Sequence, residues 1–388
     1  MRRLLLGIGL AASVLAVAGC GGSGGGSGTS GGSQSGSGPI AVGYYGDMTG
    51  NTATFGNSTK EGIDLALEEI NQTPPLGRTL EIHTEDDQGK PDQAASVVTK
   101  LITQNQVVAV IGEVASSNSL AAAPICQKEK IPMISTASTN EQVTQVGDHI
   151  FRICFIDPFQ GAVMAKFAAN TLKAKTAAIL TDVKSDYSTG LSKSFKETFT
   201  QGGGKIVAEQ SYSNGDINFN AQLGTFKQAN PDVVFVPGYY NEVGTIGRQA
   251  RDMGIKVPLL GGDGWDSPEL FKSAGTALEG CYFSNHYSPE STEPAVQEFI
   301  KKFKAKYSDR TPDAMAALGY DTAKILADSI KRAGSTDSAA LRDAIAQTKD
   351  FAGVTGTITL DENRNAKKPA VVLQIKGKGY KFVETVQP

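Results

Sequence analysis

From Ile40 onward, short apolar runs alternate with stretches whose apolar residues recur every three to four positions. The first pattern is that of buried strands, the second that of amphipathic helices. Ile40 to Tyr45 predicts a strand. Gly56 to Asn71 predicts a helix with Ile63, Leu67 and Ile70 on one face and Ala66 beside them. A strand is expected over Leu80 to Thr84, and a helix over Pro91 to Gln104 with Ala94, Val97, Val98, Leu101 and Ile102 inward. A buried strand over Val107 to Ile111 stops at Gly112. A helix over Asn118 to Lys128 and a strand over Ile131 to Ile134 close this series. A second series starts after Asp157, with helices over Phe159 to Leu172, Thr189 to Thr200, Phe219 to Gln228 and Val243 to Met253. Its strands are Thr176 to Leu180, Lys205 to Glu209, Val233 to Val236 and Val257 to Leu260. The tail differs, with helices over Glu293 to Tyr307, Met315 to Arg332 and Ser338 to Gln347, then strands over Gly356 to Leu360 and Val371 to Ile375. The alternation argues for an α/β chain of two domains with mainly parallel sheets. Helices that return so late imply that the chain crosses back to complete the first domain.

In open α/β sheets, ligands bind beyond the carboxyl ends of the strands. After Val107 to Ile111 comes Gly112-Glu113-Val114-Ala115-Ser116-Ser117-Asn118-Ser119, and after Ile131 to Ile134 comes Ser135-Thr136-Ala137-Ser138-Thr139-Asn140. The first turn leads into a helix, whose free N–H groups and dipole favour an anion. Two hydroxyl-rich turns at neighbouring strand ends form a carboxylate cradle; the competing reading is that the hydroxyls are helix N-caps. Asp263 follows Gly261-Gly262 at a strand end of the second domain, where a carboxylate either meets a cation or serves a turn. Trp265, Tyr187, Tyr239 and Tyr240 also follow strands, placed either to close over a ligand or to pack.

The start of the chain changes the picture of where this happens. Arg2 and Arg3 precede an apolar stretch from Leu4 to Val17, which fits a signal-peptide core better than a membrane span. Small residues lead to Cys20, as in the lipobox of bacterial lipoproteins; an ordinary secretory signal with a chance cysteine is the other reading. Gly21 to Gly38 is almost wholly Gly and Ser and reads as a flexible tether. A lipid on Cys20, a tether and a globular body describe an extracytoplasmic protein of a bacterial cell envelope, held at the membrane. The chain has 37 basic and 40 acidic residues, and 35 against 40 once Arg2 and Arg3 are set aside. That mild acidity, without a basic tract, argues against nucleic acid and against an anionic membrane surface as partners. Cys126, Cys154 and Cys281 remain, an odd number at spacings that match no zinc pattern; they read as small buried hydrophobes, with a Cys126–Cys154 bridge as the alternative.

Signals for catalysis are weak. The three histidines, His83, His149 and His286, stand at no paired metal-ligand spacing, and G-x-S-x-G occurs only in the tether. No phosphate loop and no dinucleotide fingerprint follows a strand. The sequence gives no reason to expect an enzyme, a metal or a cofactor.

Several stretches together resemble a known family. They are Gly46-Asp47-Met48-Thr49-Gly50 with Phe55-Gly56; Gly62 to Asn71; Asp86-Asp87 before Pro91; Ile111-Gly112 to Ser119; and Pro132 to Thr139. Phe151-Arg152 before Asp157 and Gln160-Gly161, Asp186-Tyr187, Gly238-Tyr239 and Gly261 to Gly264 complete the set. In order and spacing the chain is similar, from Ile40 to about Val383, to the substrate-binding proteins of ABC importers for branched-chain amino acids, the Leu/Ile/Val-binding family. The resemblance implies the periplasmic binding protein type I fold: two Rossmann-like lobes joined by a three-crossing hinge, with crossings near Ile156, His286 and Val371. Residues 1–19 would be the signal peptide and 20–38 the lipidated tether. Residues 39–156 and 286–371 would form the first lobe, and 157–285 and 372–388 the second.

The family's site, carried over, puts the α-carboxylate of an amino acid at Ser116 and Thr139, with backbone groups nearby at Ser138. The Ala137 carbonyl and the Thr139 hydroxyl would accept from the α-ammonium, Asp263 would be its counter-ion, and Phe55, Tyr187 and Tyr239 would line or close the cleft. The implied function is capture of a neutral, branched-chain or aliphatic amino acid by a monomer that passes it to a permease and ATPase complex. The alternatives are a binder of a small amide, urea or carboxylate, and a receptor-coupled sensor. The chain departs from the pattern in four places. Asp263 stands where Glu is common, and Phe55 where a tyrosine can occur. Glu113 borders the expected side-chain pocket and would sit badly beside an aliphatic ligand, while Trp265 is placed to narrow it or stack in it.

Overall fold

A computed structural model describes residues 38–388. The expected signal peptide, Cys20 and nearly all of the Gly/Ser tether lie outside these residues. The first lobe opens with β1 (Ile40–Gly46), α1 (Ala53–Ile70), β2 (Leu80–Asp86), α2 (Pro91–Thr103) and β3 (Ala109–Ile111). It continues with α3 (Ser116–Glu129), β4 (Met133–Ser135), α4 (Gln142–Gln145) and β5 (Ile150–Arg152). Its strands form one parallel sheet in the order β2-β1-β3-β4-β5.

The second lobe begins with α5 (Asp157–Lys166), β6 (Thr176–Asp182), α6 (Asp186–Gln201), β7 (Lys205–Tyr212) and α7 (Asn220–Ala229). β8 (Val233–Phe235), α8 (Tyr240–Asp252), β9 (Leu259–Gly261), α9 (Pro268–Ala274) and β10 (Tyr282–Asn285) follow. The tail supplies α10 (Pro294–Lys306), α11 (Ala314–Ala333), α12 (Ser338–Ala346), β11 (Phe351–Gly353), β12 (Gly356–Leu360) and β13 (Ala366–Lys367). It ends in β14 (Ala370–Lys376) and β15 (Gly379–Val386). The second sheet runs β15-β14-β10-β9-β8-β6-β7, parallel from β10 to β7 and antiparallel at β14 and β15.

The central strands β3, β4, β8 and β9 are three residues long and buried throughout. Helices cover both faces of such strands, so they read as continuous apolar runs with no alternation. The two faces of the first sheet pack into separate cores, one around Ile63, Ile111 and Leu326 and one around Val98, Val110 and Cys126. The second sheet has the same plan, with Val234 and Phe283 on one face and Ile179 and Phe235 on the other.

The late helices pack on the first lobe, with α11 lying along α1. The two helices approach so closely that a Cβ on Gly62 would stand 1.9 Å from the Ala316 carbonyl oxygen, and one on Gly319 would stand 2.3 Å from that of Thr59. Glycine at both places is what lets the backbones touch.

β11, β12 and β13 form a separate three-stranded sheet packed on the first lobe, and the chain passes between the lobes at three places: after β5, after β10, and between β13 and β14. The third lies at Lys368–Pro369, earlier than the Val371 expected from sequence, because Ala370 already pairs with Val386. Cys126, Cys154 and Cys281 are all buried and unpaired.

Candidate functional site

The two hydroxyl-rich turns come together at the ends of β3 and β4. Ser135 Oγ donates to the Glu113 carbonyl at 2.8 Å and accepts from the Ser138 N–H at 2.9 Å. Ser119 and Ser138 pair at 2.8 Å, and Ser138 Oγ also donates to the Glu113 carbonyl. Ser116 Oγ accepts from the Asn140 N–H at 3.2 Å. These hydroxyls stitch turn to turn, and Ala115, the residue before α3, has no capping side chain. The first turn of α3 therefore brings the positive end of its dipole to the cleft.

Arg152, fully buried on β5, fixes the second turn from behind. It donates to the carbonyls of Ser138 at 2.5 Å and Glu141 at 3.2 Å, and to Thr144 Oγ1 at 3.3 Å. Thr139 is held differently. Its carbonyl accepts from the Asp157 N–H at 2.9 Å, while its buried Oγ1 has no partner among the described residues. Asp157, the first residue of α5, is buried with neither carboxylate oxygen partnered among the described residues. Burial pushes the Asp157 carboxyl well above its ordinary range, against the pull of the neighbouring Thr139 hydroxyl and with Asp263 adding to the rise.

Asp263 faces this half-site from the turn after β9. Gln160 Nε2 donates to one of its oxygens at 2.8 Å, and His286 Nε2 lies 2.9 Å from the other. A Cβ on Gly262 would meet Tyr187 Oη at 2.4 Å and Gln160 Nε2 at 2.9 Å, so glycine is needed for the turn to sit this close. Tyr187 accepts from the Gly264 N–H at 3.2 Å and stacks on Tyr239, ring centroids 5.2 Å apart. Phe55, from the first lobe, meets Tyr239 and Tyr240 edge-on at 5.7 and 4.9 Å.

The rings and Asp263 enclose a small cavity lined by Phe55, Val114, Ala137, Tyr187, Tyr239, Asp263, Gly264 and Met315. Its atom-free space is about 190 Å³. That figure includes space open to solvent; the part a water centre can reach is only about 10 Å³, room for about one water in this closed arrangement.

Hydrogen bonds between the lobes close the cleft beside this cavity. Ser117 Oγ donates to the Asp186 carboxylate at 2.7 Å, and Asn140 Nδ2 donates to the Asp186 carbonyl at 2.7 Å. Thr54 and Ser267 hydroxyls meet at 2.9 Å, and Tyr240 Oη donates to the Asn51 carbonyl at 3.1 Å.

Of the residues singled out in the sequence, Phe55, Ala137, Tyr187, Tyr239 and Asp263 line the cavity. Ser116 and Thr139 stand in the turns behind it. Ser138 departs from the expectation, because its hydroxyl is spent inside the first lobe and its carbonyl is held by Arg152. Two concerns about the pocket are corrected. The Glu113 carboxylate does not line the cavity; it accepts from the N–H groups of Asp47, at 3.2 Å, and Ala115. Burial and the neighbouring Asp87 push its pKa well up. Trp265 is core: its indole N–H donates to the Val236 carbonyl at 3.0 Å, and its ring lies against Gly261 and Phe283. Val114, Met315, Gln160 and His286 were not identified as site residues from the sequence. Gln160 stood in a matched stretch, but nothing in its spacing pointed across to Asp263.

The sequence profile of the periplasmic binding protein family matches residues 39–380. The leucine-, isoleucine-, valine-, threonine-, and alanine-binding protein of Pseudomonas aeruginosa is 32% identical over 331 residues, 84% of this chain and 87% of its own length. The crystal structure of a leucine-binding protein, LivK, from Thermotoga maritima is 41% identical, with a TM-score of 0.87 over 90% of this chain and 99% of that one. The branched-chain amino acid transporter substrate-binding protein LivJ of Streptococcus pneumoniae, solved in complex with isoleucine, is 34% identical, with a TM-score of 0.85 over 90% and 100%. With its two lobes, three crossings and enclosed cleft, and a profile match running through both, the chain belongs to the periplasmic binding protein family.

Proposed function

We propose that this chain is the solute-binding subunit of an ABC importer and that its ligand is a neutral amino acid of the branched-chain or aliphatic kind. One observation carries the reading. Across a single small cavity, the turns after β3 and β4, with the Ser116 and Thr139 hydroxyls behind its wall, stand opposite a buried carboxylate, with Val114, Phe55 and Met315 as an apolar wall beside them. An α-amino acid presents the matching set: an anion, a cation and a side chain. A buried zwitterion needs each charge paired, since an uncompensated buried charge costs about 3–5 kcal/mol. Ser116 and Thr139, with backbone groups nearby, would take the carboxylate. The Ala137 carbonyl, the Thr139 hydroxyl and Asp263 would take the ammonium, and Tyr187, Tyr239 and Phe55 would close over the ligand. The hydrogen bonds that tie the Glu113 carboxylate to the Asp47 and Ala115 N–H groups support an aliphatic side chain beside it.

The names of the Pseudomonas and Thermotoga relatives and the isoleucine complex of the Streptococcus one support the ligand class. Ligand that bridges the lobes favours their closed arrangement. In this reading the closing lobes are residues 39–156 with 286 to the third crossing, and 157–285 with the remainder. The closed form would deliver the ligand to a membrane permease and its ATPase, outside the cytoplasm, with the lipid on Cys20 as anchor. No bond in the ligand is made or broken.

A thermal-shift screen of the full chain against the common amino acids, simple amides and carboxylates tests this. Ligand at a hundred times its Kd adds about 2.7 kcal/mol of stability. The expected result is a raised melting point with leucine, isoleucine or valine. A shift only with uncharged amides or amine-free carboxylates would overturn the ammonium role of Asp263.

A further inference from the structure

His286 has no role in the site so far. It follows β10 directly, at the second crossing between the lobes, and its side chain is wholly buried. Its ring stacks on Phe155, centroids 3.9 Å apart, and its Nε2 stands 2.9 Å from Asp263 Oδ2. An ionised carboxylate only accepts, so Nε2 carries the proton of that contact. Nδ1 is buried with no partner among the described residues. A neutral ring leaves there a bare acceptor; a protonated ring would bury an unmatched N–H as well as a charge.

The groups that act on the ring are few. Asp263 comes from the turn after β9, and Lys368 from the third crossing. Phe155, in the first crossing, brings no charge, and Asp157 acts on Asp263. Burial lowers the proton affinity of the imidazole despite the pull of Asp263, and Lys368 adds to the lowering. Lys368 is itself brought down to about 8 by burial.

We propose that His286 is a positioning residue for the ammonium site: neutral, it props the Asp263 carboxylate toward a cationic ligand group, and protonated, it takes that carboxylate as its own counter-ion. This rests on the reading of Asp263 given above. Asp263 has about four acceptor positions, and Gln160 and His286 occupy two, one on each oxygen. A neutral prop leaves the full charge for the ligand. A protonated one cancels it, so protonation and ligand binding oppose each other by the same factor in both directions.

The test uses the full chain with L-isoleucine as probe, its Kd measured by calorimetry from about pH 7.5 to about pH 4.5, across and below the ordinary histidine range. In the wild type, affinity should fall at least about tenfold on acidification, and in His286→Gln, which keeps a donor but binds no proton, it should fall less than about threefold. Equal pH slopes in the two proteins would overturn the proposal. A second arm needs no ligand. The chain has three histidines, so NMR can follow the ring of His286 through its titration. Asp263→Asn should lower its midpoint; an unmoved midpoint overturns the proposal. If isoleucine fails to bind the wild type near neutral pH, the ligand reading falls and the imidazole titration alone decides the inference.

Discussion

On the first lobe, the cleft is faced by hydroxyls and backbone that hold one another in place. Ser119, Ser135 and Ser138 tie two turns together, and Arg152 clamps them from behind. On the second lobe, it is faced by a carboxylate and two stacked phenol rings, and that carboxylate is held by side chains from distant parts of the chain. The contrast separates rigidity from charge. The first lobe offers dipoles whose positions are settled by local hydrogen bonds, so changes there act on folding as much as on binding. The second offers one full charge whose direction depends on Gln160 and His286, so changes there should act on the ligand first.

Three substitutions would break or sharpen that contrast, with a fourth as control. Arg152→Leu should cost the most. The Ser138 carbonyl keeps only the Cys154 thiol, and the Glu141 carbonyl and Thr144 hydroxyl lose this donor; an under-satisfied buried acceptor costs about 1–3 kcal/mol, so unfolding free energy should drop by roughly 2–4 kcal/mol in a urea titration. Asp263→Ala should come next and leave the fold intact. A hydrogen bond to a charged group contributes about 1.5–3 kcal/mol, so amino-acid affinity should fall at least about tenfold by calorimetry. Unchanged affinity would remove the charge from the second side of the comparison. The smallest effects come from neighbouring hydroxyls with opposite fates. Thr139→Val should weaken ligand binding by about 0.5–1.5 kcal/mol with little change in melting point, because that hydroxyl has no internal partner. Ser138→Ala should do the reverse, lowering stability by about 1 kcal/mol and leaving affinity within about twofold, because that hydroxyl is bonded within the lobe.

How much of this was legible beforehand follows the same division. The long helices and buried strands stood out because a 3.6-residue period and an apolar run are local signals. β10 was missed: it is only four residues long and ends in Ser-Asn, without an apolar run. β15 was missed because it is a polar edge strand carrying Lys381 and Glu384. Phe55, Ala137, Tyr187, Tyr239 and Asp263, singled out because they follow strand ends or match family stretches, come together around one cavity. The facing direction of a side chain on a turn is not encoded in spacing: the Ser138 hydroxyl is bonded within its lobe, Glu113, set at the border of the pocket, is bonded to Asp47 and Ala115, and of the two readings of Trp265 the structure shows packing. His286 lies 23 residues from Asp263 and Gln160 lies 103 away, and only the folded crossings bring the three together.

The bonds that join the lobes beside the cavity separate two properties of a receptor. Thr54 with Ser267, Tyr240 with Asn51, and Asp186 with Ser117 and Asn140 make no use of what fills the cavity. Loosening any of them raises the free energy of the closed form by one fixed amount, whatever is inside. Every ligand is then weakened by the same factor, and their ranking is untouched. Overall strength of capture can thus drift under selection, or be reset by engineering, at the rim of the cleft, while discrimination among solutes stays with Val114, Met315 and the rings that line the cavity.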